Sequence, residues 1–524
     1  MQLDAYQRCV GGADKKIKFC CGKEITGDLN SIFEAVEADQ RAAALDRCNR
    51  AIQKHGDKDC LLATKVSVLI QLNETEQAGP LVDTLLERDP RNPVALGQKT
   101  TLLAIADRVE AAVDCLQEAL EHFDRTISRG VLNAIRIVGA LLHEHNNVFA
   151  ARAHLVLYST LATEPDPEVA RLMLTGLSDA SIPIFLKHDF ELPIAPAEGS
   201  WSATYNAIRA STMRGRWKSS LAKLRELDAQ HPGQPILRKA IAVLENRVGT
   251  PPTQAEAWRR YSETPGVPTE EAIEAEAIAQ TLGGDSLDDK EHRRLLLSFP
   301  VVDLERALAG LAKHPRAASH GQVTMPHPDL PPPRAAYSIL DAPPLADDEE
   351  IQLDTIPIVI GSAMIYGRET DREPRIEIEG YEEFGLDETI RTVREAVGDA
   401  VGPEPTATET IGEMGSIDLR MGVRWYLARA VEPELRRDLL RQHFVRFQNE
   451  TWPSMPLSKF GGKTAREAAA DPNNHRLLLA WLMSVEELID TSSFDRIDLD
   501  PLRRELGLPE RGRLEPAGLN LDRL

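Results

Sequence analysis

Aromatic residues make up only 5% of this 524-residue chain. That is too few for the ring-rich cores of β-sandwiches or carbohydrate-binding modules, and it favours helices packed through small side chains. No run of about 20 apolar residues is present, so no membrane-spanning helix is expected. The opening Met1-Gln2-Leu3-Asp4 has neither a basic region nor an apolar one, and the expected location is the cytoplasm. Positive charge is also short, with 61 Lys and Arg against 82 Asp and Glu and a net charge of −21. Nucleic acid and anionic lipid are therefore poor partners, because binding them needs clustered cations that displace counterions. Cysteines number six, and Cys48, Cys60 and Cys115 stand singly in helix-patterned stretches. Such spacing suits buried thiols rather than a disulfide framework.

Familiar catalytic signatures are missing as well. No Gly-x-Ser-x-Gly elbow occurs. His143 and His145 flank Glu144, but a metalloprotease pair must lie one helical turn apart, and positions i and i+2 point to different faces.

Length alone suggests about three domains unless the chain is a repeat array. Sliding 55–88 forward by 34 residues places Leu62 on Leu96, Lys65 on Lys99, Leu69 on Leu103, Glu76 on Glu110, Ala78 on Ala112 and Leu86 on Leu120. The spacing and the residue types resemble the tetratricopeptide-repeat family. Counted from Asp59 and Pro93, large apolar residues take the fourth and eleventh places (Leu62, Leu69; Leu96, Leu103). Ala78 and Ala112 take the twentieth, the small site where two helices cross. Val82 and Leu116 follow at the twenty-fourth, Leu85 and Ala119 at the twenty-seventh, and Pro90 ends the unit. A close crossing needs one nearly bare position with large residues on either side. The family's glycine at place eight is replaced by Val66 and Thr100. The resemblance implies an α-solenoid of antiparallel helix pairs with a concave surface that takes a protein or peptide partner.

The array is expected over 25–178, with helices at 132–145, 148–161 and from 167 onward. Residues 179–199 interrupt it with Pro183, Pro193, Pro196 and Gly199. A second helical-repeat segment follows over 200–314, with Gly215-Arg216-Trp217 at a turn and Leu224 and Leu227 on the packing face. Residues 315–350 are proline-rich and end in Asp347-Asp348-Glu349-Glu350, the composition of a solvated linker. A smaller α+β domain is expected over 351–524. Its strands lie within 351–366 and 374–378, joined by a polar hairpin loop at 367–373, and helices follow near 386–399, 416–449, 464–471 and 475–490.

Residues 1–24 carry Cys9, Cys20 and Cys21 around Lys15, Lys16 and Lys18. This resembles the zinc-binding SEC-C motif, with three of its four ligand positions filled and Gly11 standing at the remaining one. A structural zinc wants four N or S ligands. The resemblance thus implies either a three-cysteine zinc knuckle completed by water or another residue, or a remnant turn held by packing. An intact knuckle would imply a protein or ribosomal partner.

In the C-terminal domain, Gly461-Gly462-Lys463-Thr464 superficially suggests a phosphate loop, but Leu457 stands where the leading glycine belongs and no strand precedes it. Thr464 with Glu467 reads instead as a helix capping box. Trp425, Trp452 and Trp481 read as core anchors. The function expected is a non-catalytic protein-binding scaffold. The alternatives are a zinc-binding ribosome- or chaperone-associated factor, and an enzyme in the C-terminal domain with the helical array as adaptor.

Overall fold

The computed structural model describes residues 3–122, 127–179, 182–284, 291–320, 332–368, 372–427, 430–491 and 499–511. The chain is mainly helical, at 59%, and forms two compact units, Met1–Gly284 and Asp285–Glu515. Met1 and Gln2, Pro326, Pro328 and Pro331 of the expected linker, and 369–371 of the expected hairpin loop lie outside the described residues.

The first unit begins with a helical turn, α1 (Ile17–Cys20), and continues with α2 (Thr26–Glu37), α3 (Arg41–His55), α4 (Asp59–Gln71), α5 (Thr75–Arg88), α6 (Pro93–Ile105), α7 (Val109–Glu121), α8 (Arg129–Glu144), α9 (Val148–Leu161) and α10 (Pro167–Ser178). Consecutive helices pack as adjacent pairs, α2 on α3, α4 on α5, α6 on α7 and α8 on α9. The turn inside each pair is the same. Asp39, Asn73, Asp107 and Asn146 all adopt positive φ, between 55° and 60°, and the first three recur at 34-residue intervals. The amide of the following residue reaches back to the carbonyl five positions earlier, as in Glu74 N–H to Leu69 O at 2.9 Å and Arg108 N–H to Leu103 O at 3.0 Å. This is a Schellman closure, and Asn or Asp serves because a short polar side chain tolerates the left-handed conformation.

At the crossings Ala78, Leu69, Ala112, Leu116 and Ala119 are fully buried and Leu62 and Leu96 nearly so, while Leu103 is half-buried at the edge of its cluster. Helix α6 starts on Asn92, whose side chain accepts from the amides of Val94 and Ala95 with Pro93 in the first turn.

The connection at 179–199 differs from a simple break. It carries the short α11 (Ile184–Lys187), and Phe185, Leu186 and Phe190 are buried, with the Phe190 ring 5.8 Å from Phe149 and 4.8 Å from Trp258. Then follow α12 (Ser202–Thr212), α13 (Trp217–Gln230), α14 (Pro235–Val248), α15 (Pro251–Ser262) and α16 (Thr269–Leu282). These pack back on the earlier helices, α13 on α7 and α14 on α9. Gln117 of α7 accepts from the backbone amides of Trp217 and Lys218 at 2.9 and 3.0 Å, supplying the start of α13 with an acceptor from 100 residues away. Long-range capping of this kind has no local signature, which is why the strict period fades here while the packing continues.

The second unit starts earlier than the sequence suggests. Residues 291–314, read above as the end of the helical segment, form β1 (Glu291–Pro300) and α17 (Leu304–Lys313). The stretch read as linker contributes β2 (Ala317–Ser319) and β3 (Ala335–Leu340), and β4 (Val359–Tyr366), β5 (Arg375–Tyr381), α18 (Leu386–Val397) and β6 (Ala407–Gly415) complete a six-stranded antiparallel sheet. The strand order is β2-β3-β4-β5-β1-β6, so β1 lies between β5 and β6, with Leu297 opposite Ile378 and Thr408. A bulge at Arg294/Leu295 shifts the β1–β6 register. It interrupts the period-two pattern that would have marked β1 as a strand. Helices α17 and α18 cover one face of the sheet, burying Ile339, Ala363, Ile365, Ile376 and Ile378 with Ala307, Leu311, Val393 and Val397. Gly310 permits their approach, since a Cβ there would lie 2.2 Å from the carbonyl oxygen of Ala396.

The chain ends in a helical cluster of α19 (Ser416–Met421), α20 (Pro433–Arg446), α21 (Ala465–Ala468), α22 (His475–Thr491) and α23 (Asp500–Glu505). Its centre is Trp452 stacked on Trp481, ring centroids 3.3 Å apart and 9° from parallel, both buried. Trp425 differs from them: it is half-buried and meets His443 edge-on at 5.7 Å. Gly461 and Gly462 have positive φ and turn the small β7 (Pro456–Leu457) and β8 (Lys463–Thr464) hairpin. Thr464 and Glu467 close the capping box in both directions. The glycines thus turn a hairpin. Among the described residues no helix is long and apolar enough to cross a membrane.

Candidate functional site

Three features of the structure could carry function, and two of them meet at the N-terminus. The segment before α2 folds into a knuckle. The amide of Cys9 donates to the carbonyl of Lys15 at 2.8 Å, and Asn30 of α2 exchanges two hydrogen bonds with the backbone of Leu3. This brings together the three cysteines singled out above. Their sulfurs lie within 4.8 Å of one another, with Cys9 Sγ 3.3 Å from Cys21 Sγ and Cys21 Sγ 3.9 Å from Cys20 Sγ. A tetrahedral zinc with bonds of about 2.3 Å has ligand edges of about 3.8 Å, so the spacing fits such an ion.

A fourth thiol stands beside them. Cys60, fully buried near the N-terminus of α4, lies in the same buried cluster as Cys9 and Cys21 and acts on both thiols. As the spacing suggests, Cys48, Cys60 and Cys115 are all free and buried; Cys60 differs in acting on the knuckle thiols, which nothing in the spacing announces. Hydrogen bonding to Cys21 and burial raise the Cys9 thiol well above its ordinary value. Cys21 is raised likewise by its bond with Cys60 and by burial. At Cys60 the bond with Cys21 pulls downward, but the bond with Cys9 and burial outweigh it and push the thiol up to about 12. A cluster of this kind stays protonated until a cation compensates its charge.

The knuckle rests on two helices at once, α4 and α6. Asn92, the cap of α6, donates to the carbonyl of Gly11 at 2.7 Å. A Cβ on Gly11 would meet the amide nitrogen of Cys60 at 2.6 Å, and one on Gly12 would meet Asn92 at 1.9 Å. Nothing in the spacing around Cys60 or Asn92 announces either role, because each acts on residues about 40 or more positions away in the chain.

Beside the knuckle, α2, α4, α6 and α8 line a groove of about 430 Å³. Phe33 and Val36, Ala63 and Thr64, Val94 and Val131 give it an apolar floor. Gln98 supplies a polar point. Its amide nitrogen donates to Ala63 O at 2.6 Å and to Ser67 Oγ at 3.0 Å, while its buried Oε1 has no hydrogen-bond partner among the described residues. A buried acceptor without a donor costs about 1–3 kcal/mol.

In the second unit, the sheet face opposite α17 and α18 borders a concavity of about 700 Å³. Arg294 pairs with Glu379 there, His320 Nε2 lies 2.8 Å from Ser338 Oγ, and the buried Nε of Arg424 has no partner among the described residues. His143 and His145 stay apart as a site: His145 bonds Asp107 at 2.6 Å across the pair turns. No known protein family matches the chain, and no curated protein matches it either.

Proposed function

We propose that this chain is a cytoplasmic, non-catalytic scaffold built on tetratricopeptide-like helix pairs, which holds a protein or peptide segment in the groove of the first unit. The observation that carries the reading is the groove itself: an apolar trough between α2, α4, α6 and α8. A peptide supplies what such a surface lacks, apolar side chains for the floor. The recurring Asp39, Asn73 and Asp107 turns support the family likeness, since they repeat the 34-residue unit in backbone conformation as well as in sequence.

Selection of a displayed random-peptide library on the full chain tests the proposal. Enriched peptides should lose binding to Val36→Asp and Ser67→Arg, which charge or fill the groove at half-buried and exposed positions. Enrichment that both variants leave intact would place the binding surface elsewhere.

A second reading has one observation in its favour. The Arg424 guanidinium, whose Nε has no hydrogen-bond partner among the described residues, lines the sheet-face concavity with Arg294 and His320 and suits a small anionic ligand. In that case the C-terminal unit would bind or act on such a ligand with the helical unit as adaptor. A thermal shift with inorganic phosphate or a nucleotide that Arg424→Ala abolishes would favour it.

A further inference from the structure

We propose that Cys60 of α4 joins Cys9, Cys20 and Cys21 as the fourth ligand of a structural zinc ion, so that the metal fastens the N-terminal knuckle to the helices that line the groove. The scaffold proposal concerns what the groove holds; this one concerns what holds the groove's N-terminal wall, and it stands whatever the occupant is.

Four observations converge on it. The three knuckle sulfurs are spaced for a tetrahedron, with Cys9 to Cys21 at 3.3 Å and Cys21 to Cys20 at 3.9 Å. Cys60 shares one buried cluster with Cys9 and Cys21 and is completely buried, so water does not compete for the fourth place. Cys60 is the second residue of the 13-residue α4, where free amides and the positive end of the helix dipole favour a thiolate. Gly11, where the fourth knuckle cysteine is missing, is pressed against the backbone of Cys60, 2.6 Å from its amide nitrogen to a would-be Cβ. The chain at Gly11 has thus been kept bare to admit the helix that brings the replacement thiol.

The chemistry balances without a redox partner. Four thiols bind one Zn²⁺ and release up to four protons to solvent, leaving a tetrathiolate of net charge −2. Cations stand nearby to offset that charge: Lys58, at the cap of α4, donates to the carbonyl of Cys21, and Lys18 lies over the ring of Tyr6 in the knuckle. A zinc here crosslinks the chain before α2 to the start of α4, which closes a long loop and restricts the unfolded chain.

The test uses the full chain, purified under reducing conditions from zinc-supplemented medium. Elemental analysis should find one zinc per chain. Cys60→Ser should release its zinc to a competing chelator at a concentration at least about 10-fold lower than the parent requires, since even loss of an outer partner weakens metal sites that much. Cobalt substitution gives a second readout: the thiolate-to-cobalt charge-transfer absorption should fall in Cys60→Ser, as one thiolate of four is removed. Cys48→Ser, a buried thiol outside the proposed ligand set, should match the parent in both measurements. Cys60→His, which keeps a ligand atom at the same place, should recover part of the zinc retention and shows that the loss in Cys60→Ser is not mere unfolding. A parent chain that takes up no zinc overturns the proposal, and so does a Cys60→Ser chain that holds zinc and cobalt as the parent does.

Discussion

Gly11 and Cys60 are in backbone contact: a methyl group on Gly11 would lie 2.6 Å from the amide nitrogen of Cys60 and 2.7 Å from the carbonyl carbon of Asp59. Restoring the cysteine that the SEC-C resemblance wants at position 11 should therefore harm the protein. Gly11→Cys is expected to lower the unfolding free energy by about 1–3 kcal/mol through overpacking, with no gain in zinc affinity. Chemical denaturation together with chelator competition checks this. A variant both as stable as the parent and tighter for zinc would show that the knuckle closes without Cys60.

The helix crossings make a simpler prediction. Ala112 is fully buried among Leu116, Ala119 and Val138. Ala112→Phe should destabilise the first unit by about 1–3 kcal/mol, because the close-packed crossing has no room for a ring. Ala106→Phe, at the solvent-facing end of α6, is the matched control. Urea denaturation followed by circular dichroism distinguishes the two, and equal midpoints would contradict the packing described.

Much of this was legible in the sequence for one physical reason: a stacked helix pair meets the same neighbours every 34 residues, so the demand for alanine at the crossing repeats. The residues that carry the repeat turns were legible only in part. Asp39, Asn73 and Asp107 do the work for which glycine is the usual candidate, and their side chains mark them only weakly for positive φ. Strand β1 was hidden because its bulge at Arg294/Leu295 and the continuous run Leu295-Leu296-Leu297 break the alternation, and because its partners β5 and β6 lie far along the chain. Cys60 was hidden for the reason Gln117 was: each meets a distant segment, and neither has a neighbour in sequence that tells of it.

A pH prediction follows from His154. Its Nδ1 donates to the carbonyl of Ala150 at 2.8 Å, its ring meets Trp217 edge-on at 5.0 Å, and complete burial lowers its pKa to about 4. The unfolded chain takes up this proton from about pH 6.5 downward, the folded chain only near pH 4. Stability from this group is therefore fully present above pH 6.5 and is lost as the pH falls toward 4. Between pH 7 and pH 5 the loss should be about 2 kcal/mol. Denaturation midpoints at the two pH values should differ less in His154→Leu than in the parent, and an unchanged difference would refute the assignment.

The capping box predicts a local effect in the second unit. Thr464 accepts from the amide of Glu467 at 3.2 Å, and Glu467 accepts from the amide of Thr464 at 2.8 Å. Thr464→Ala should cost about 1 kcal/mol. It should leave nucleotide binding as it is in the parent. A lowered melting temperature with an unchanged nucleotide titration is the expected pair of results; a nucleotide affinity that collapses with the threonine would restore the phosphate-loop reading.

The central proposal is that a partner peptide lies in the groove lined by α2, α4, α6 and α8. The most direct measurement is site-specific photocrosslinking of a library-selected peptide to full chains carrying a photoreactive residue either at Ser67, which borders the groove, or at Glu118, exposed on α7. Capture at position 67 that excess unlabelled peptide suppresses, with none at position 118, is the predicted result. Equal capture at both positions, or capture at 118 alone, would contradict the account.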